Sequence, residues 1–158
     1  PNSTTTAAAA VTNNSYYSWM VSADPGQFLY LDDLTFQAAR GGSSTPRGWV
    51  LRSDVDGFAA NISTATVPTT RPNLTGFNVD LSAAQFQGLS SITFRLYTFS
   101  PSNGSSVEYD NLTLNGIVSA APIPAALPIG ALGLAGSAYL RKRRDKTDRD
   151  KADAQTTV

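Results

Sequence analysis

The chain has 158 residues with no Cys and no His, which excludes disulfide frameworks, zinc–thiolate sites, Ser-His-Asp triads and imidazole proton shuttles. Its formal net charge of zero is a cancellation: residues 1–140 hold five Arg against eight acids, and residues 141–158 hold seven Lys/Arg against four Asp. A body that is not basic argues against nucleic acid as a partner, whereas the basic end marks a membrane or interaction segment.

Residues 1–14 are Thr/Ala/Asn-rich and polar, without the basic-then-apolar order of a secretion signal. The expectation is therefore the C-terminal part of a longer exported protein. From residue 16 to 118, segments alternating with period 2 are separated by Gly/Pro/Ser/Asn clusters, the pattern of half-buried strands. Strands are expected at 16–23 (Tyr17, Trp19 and Val21 on one face), 27–37, 48–53 (Trp49, Leu51), 76–81 (Phe77, Val79, Leu81), 91–99 (Ile92, Phe94, Leu96) and 107–118. Ser82 opens a short stretch that reads as one capped helical turn crossing between sheets, and 63–73, with two prolines and four threonines, reads as a long loop. Six strands so spaced predict an all-β fold, a jelly-roll-like β-sandwich.

Two segments share a break in alternation. Leu29 and Leu31 precede Leu34 and Phe36, and Val107 and Tyr109 precede Leu112 and Leu114. In a regular strand a one-residue change of parity turns half the apolar side chains to solvent. A β-bulge at Asp32-Asp33 and another at Asp110-Asn111 would remove the conflict. A second reading of these acids is that Asp32, Asp33 and Asp110 help to hold a structural calcium ion, the one cofactor the composition leaves open. Asp54-Val55-Asp56-Gly57 begins like a calcium loop but continues Phe58-Ala59-Ala60, so an ordinary Asp-Gly turn is the better reading.

No charge lies between Asp110 and Arg141. Residues 123–140 are apolar and 18 long, just enough for a transmembrane helix, with Pro122, Pro124 and Pro128 at the front, where a helix tolerates them best. Arg141, Lys142, Arg143 and Arg144 follow without a break. Each would cost about 2.5–3.5 kcal/mol at mid-membrane, so they end the span and hold that side in the cytoplasm, leaving the β-domain outside. The expected organisation is an extracytoplasmic β-domain at 1–118, a proline motif, single transmembrane helix and basic cluster at 119–144, and a polar cytoplasmic tail at 145–158.

This order of short proline motif, apolar span and basic cluster resembles a PEP-CTERM sorting signal. Pro122, Ile123, Pro124 and Ala125 are similar to its VPLPA variant, which has no Glu between the prolines. The upstream Arg52-Ser53-Asp54-Val55-Asp56-Gly57-Phe58 and Asp110-Asn111-Leu112-Thr113-Leu114-Asn115-Gly116 are similar to ectodomains that carry such tails. The resemblance implies a bacterial envelope protein, cut near the proline motif by an exosortase-type membrane transpeptidase and often associated with exopolysaccharide or biofilm matrix. Leu127-Pro128-Ile129-Gly130 imitates a sortase motif, but it lacks the Thr and lies inside the apolar run.

Three functions compete: a non-enzymatic surface protein whose tail is the processing substrate, a carbohydrate-binding module, and a glycosidase. For the second, Tyr97 and Phe99 fall on the face opposite Ile92, Phe94 and Leu96 and are the candidate ligand residues. For the third, Asp54, Asp56, Glu108 and Asp110 supply carboxylates, but turns and bulges already account for them. The expectation is the first, and not an enzyme.

Overall fold

The computed structural model describes residues 5–101 and 105–120. The proline motif (Pro122, Ile123, Pro124, Ala125), the apolar run and Arg141 to Arg144 lie outside the described residues. Among the described residues no helix is long and apolar enough to cross a membrane.

The described residues form a short helix, α1 (Ala7–Thr12), and eight strands: β1 (Tyr16–Ser22), β2 (Phe28–Arg40), β3 (Gly48–Ser53), β4 (Ser63–Thr66), β5 (Thr75–Asp80), β6 (Gln87–Leu89), β7 (Ser91–Phe99) and β8 (Val107–Ser119). The strands make two antiparallel sheets. Sheet I runs β1-β7-β3-β4. In sheet II, β8 pairs along β2 from Phe28 to Arg40, while β6 and β5 pair with successive parts of β2. A strand has two edges, so β5 and β6 share one edge of β2 and β8 takes the other.

Inward residues of both sheets form one core that includes Leu29, Leu31, Leu34, Phe36, Trp49, Leu51, Val79, Ile92, Phe94 and Leu96. Phe36 of sheet II meets Trp49 of sheet I edge-to-face at 5.0 Å, and stacks on Phe77 at 5.4 Å. Trp19 stacks on Phe94 at 5.5 Å. Such pairs add about 0.5–1.5 kcal/mol each beyond their buried area.

Both parity breaks are bulges. Leu31 pairs with Gly116 and Asp33 with Asn115, so Asp32 is an extra residue on β2. Thr35 pairs with Thr113 and Gln37 with Asp110, so Asn111 and Leu112 together face Phe36. Asn111 takes the left-handed conformation (φ 52°), which a short polar side chain tolerates. As a result Leu29, Leu31, Leu34 and Phe36 are all buried although their parity changes. Gly116 belongs to the first bulge, because a Cβ there would strike the Tyr30 carbonyl.

Three local readings are corrected. The expected loop at 63–73 begins with β4, whose Ser63 to Thr66 pair with Leu51 to Gly48; the alternating Thr side chains suit an edge strand without any apolar signal. The turn after β5 is a single 3-10 turn at Ala84–Phe86, and Ser82 does not cap it: its backbone N–H donates to Asp80 Oδ1 at 2.8 Å. The opening segment contains α1, whose N-cap Thr6 accepts from the Ala9 N–H through Oγ1 at 3.2 Å and precedes a run of Ala, the strongest helix former.

Candidate functional site

Tyr97 and Phe99 do project from the outer face of sheet I, but that face is covered. Ala10 of α1 packs with Val50, Tyr97 and Phe99 in a second, smaller cluster, leaving the two rings 2% and 5% exposed. A stacking platform must be open to its ligand, so these residues serve packing and the expectation that they bind is corrected. Beside them Arg95 lies between the rings of Tyr16 (4.5 Å) and Phe58 (3.7 Å), which occupies more of the same face.

Asp32, Asp33 and Asp110 are not brought together. Asp33 stands opposite Asn115 and Asp110 opposite Gln37, four residues further along β2, a separation of about 13 Å at ordinary strand rise. One ion cannot take all three. Among the described residues no group of three acidic side chains is placed to hold a metal. The other carboxylates have structural partners: Asp54 Oδ1 accepts from the Thr93 N–H (2.9 Å), Asp56 accepts from the Ala59 and Ala60 N–H groups (3.1 and 2.8 Å), and Glu108 pairs with Arg71.

Two of the concave surfaces among the described residues bear on function. The first lies where sheets I and II end on the same side. Among the described residues β1 pairs only with β7 and β8 only with β2, and the gap between their free edges is a groove of about 540 Å³. Tyr17, Trp19, Leu96, Tyr109, Leu112 and Glu108 line it. Tyr17, read from the sequence as a core residue, is 64% exposed, because the facing sheet stops at β8 and nothing among the described residues closes over it. Its ring meets Tyr109 edge-to-face at 6.2 Å. The Tyr109 hydroxyl shares a 2.8 Å hydrogen bond with Thr98, and burial pushes that phenol well above its ordinary pKa. The groove thus offers an exposed ring over a fixed one, with a carboxylate at the rim: a surface that can stack on a ring and accept hydrogen bonds.

The second is the outer face of sheet II. Register partners share a face, so three rows cross it: Asn115–Asp33–Asp80, Thr113–Thr35–Asn78 and Asp110–Gln37–Gly76. The lower two rows, except Asp110, line a hollow of about 480 Å³ together with Asn111. Asn115 Nδ2 donates to Asp33 Oδ1 at 2.7 Å, and Asn111 Nδ2 donates to Gln37 Oε1 at 3.2 Å. Asp80 is held below the usual carboxylate range by bonds from the Ser82 hydroxyl and N–H. Single rows of this kind carry no motif, and only the strand register gathers them.

No protein-family model, no curated protein and no solved structure matches this chain.

Proposed function

We propose that this chain is an exported bacterial surface protein: a non-enzymatic β-domain of jelly-roll-like connection, carried on a PEP-CTERM-type tail that an exosortase processes. The observation that carries the reading is the uninterrupted order of Pro122-Ile123-Pro124-Ala125, an apolar stretch and Arg141-Lys142-Arg143-Arg144. Its energetic logic is asymmetric. Leu and Ile gain about 0.3–0.6 kcal/mol each at mid-membrane and Gly and Ala little, so the span is weak, while the four cations set its end firmly. For the jelly-roll arrangement, the support is that the first strand lies beside the penultimate one and the second beside the last.

In this reading residues 123–140 cross the membrane once, the β-domain faces outward and residues 145–158 lie in the cytoplasm until processing releases or transfers the domain. Liposome flotation tests it. The intact chain floats and a variant lacking 123–144 stays in the aqueous fraction; an intact chain that never partitions into vesicles refutes the assignment.

A second reading, a carbohydrate-binding module on a membrane anchor, is favoured by the Tyr17–Tyr109 groove. Glycan-array binding that Tyr17→Ala removes supports it, and an array with no bound glycan retires it.

A further inference from the structure

The outer face of sheet II is built from residues that a strand does not ordinarily select. Asn, Asp and Gly are depleted in strands, over a scale of about 1 kcal/mol per position, yet they occupy six of the nine positions in its three rows. Asp33 and Asp80 even face each other directly, a like-charge pairing that costs stability. The outer face of sheet I breaks the preference less: beside Gly48 and Ser18 it carries Tyr16, Val50, Tyr97 and Phe99, which are good strand formers. Where local preference is broken this heavily on one face, the cause is to be sought in what that face does.

Six properties of the face define a ligand. It contains no Lys, Arg or Glu in its three rows, and apart from Gln37 its side chains are short and lose little rotamer freedom when ordered. Amides and hydroxyls both donate and accept, which suits a partner presenting many groups that do the same. The Asn115–Asp33 and Asn111–Gln37 bonds tie one atom of each group and so orient the other. Gly76 leaves open space where a side chain would stand, since nothing lies within 4 Å of its missing Cβ. Next to the rows, Tyr30 pairs with Ile117, itself 54% exposed, giving the polar field an apolar end. Three carboxylates without a cation disfavour any polyanion.

We propose that this face binds a neutral oligosaccharide, with hydroxyls on Asn78, Thr113, Thr35 and Gln37 and the hollow over Gly76 receiving one ring. The hollow falls within the range of about 300–1,000 Å³ usual for small-ligand sites. The inference rests on the carbohydrate-binding reading but puts recognition on a different surface from the Tyr17 groove, so the two can fail separately.

The test is affinity electrophoresis of the intact chain in non-ionic detergent through gels containing neutral glucan, mannan or galactan, or acidic alginate. The expected result is retardation by at least one neutral polymer. The double variant Asn78→Val/Thr113→Val weakens it by about tenfold or more, the equivalent of one lost hydrogen bond or two. The same variant unfolds at an equal or higher urea midpoint, because Val is the better strand residue. Met20→Ala, at an exposed residue of sheet I that lines neither the hollow nor the Tyr17 groove, leaves retardation unchanged. The proposal is overturned if no neutral polymer retards the chain, if only alginate does, if the double variant binds as the parent does, or if Tyr17→Ala alone abolishes binding; this last outcome returns recognition to the groove.

Discussion

Deletion of Asp32 separates a bulge that sets register from an incidental irregularity. Asp32 is the extra residue between the Leu31–Gly116 and Asp33–Asn115 pairs. Without it, β2 must either carry its first four residues over by one position or break its ladder. In the first case Leu29 and Leu31, now 4% and 3% exposed, turn outward, and two leucines at about 1.5–3 kcal/mol each make a loss of about 3–6 kcal/mol. Phe28 and Tyr30 turn inward in their place, but their rings exceed the leucine sites and Tyr30 brings a hydroxyl, so overpacking adds about 1–3 kcal/mol rather than restoring the core. In the second case Leu31 and Gln87 lose the 2.8 Å bond between the Gln87 side-chain amide and the Leu31 carbonyl, along with nearby ladder bonds. Either loss is a large part of the roughly 5–15 kcal/mol that holds a domain together. Urea unfolding followed by tryptophan fluorescence measures it, with Asp32→Ala as the control, because that exposed substitution keeps the residue count and shifts stability by only about 0.5 kcal/mol. A deletion variant within about 1 kcal/mol of the parent would refute the claim that the bulge reconciles the two halves of β2.

Other outcomes follow from the same structure. Tyr97→Ala, beneath α1, lowers unfolding stability by about 3–5 kcal/mol, whereas Tyr17→Ala at the groove stays within about 1 kcal/mol; reversed values in urea melts would mean that the covered and open rings are misassigned. Phe94→Ala removes a fully buried ring stacked on Trp19 and costs about 3–5 kcal/mol by the same measurement. The Tyr109 phenol has its folded pKa raised, so its contribution is complete below the ordinary value of about 10 and falls away as pH climbs toward the folded value; ultraviolet titration should find one tyrosine ionising late, and Tyr109→Phe should remove it. Asp80 has its folded pKa lowered, so its contribution is present above the ordinary value of about 3.9 and is lost as pH falls through the folded value; the difference in urea midpoint between the parent and Asp80→Ala should shrink across that acid range.

The amino-acid sequence by itself determined the positions of six of the eight strands found among the described residues (β1, β2, β3, β5, β7 and β8), the inward face of most of them and the two bulges. All of these follow from period-2 alternation, which is local: Leu29, Leu31, Leu34 and Phe36 announce both their common burial and the need for an extra residue between them. The same locality explains the failures. Alternation says that Tyr97 and Phe99 share a face but not that Ala10, far away in the chain, lies on it; it groups Tyr17 with Trp19 but not where the opposite sheet ends. β4 and α1 have no amphipathic pattern, since one is a polar edge and the other a run of alanine. Only the tertiary structure decided which outer face is covered, where the free edges meet and how single amides from β2, β5 and β8 become rows, because each depends on pairing between segments that are distant in sequence.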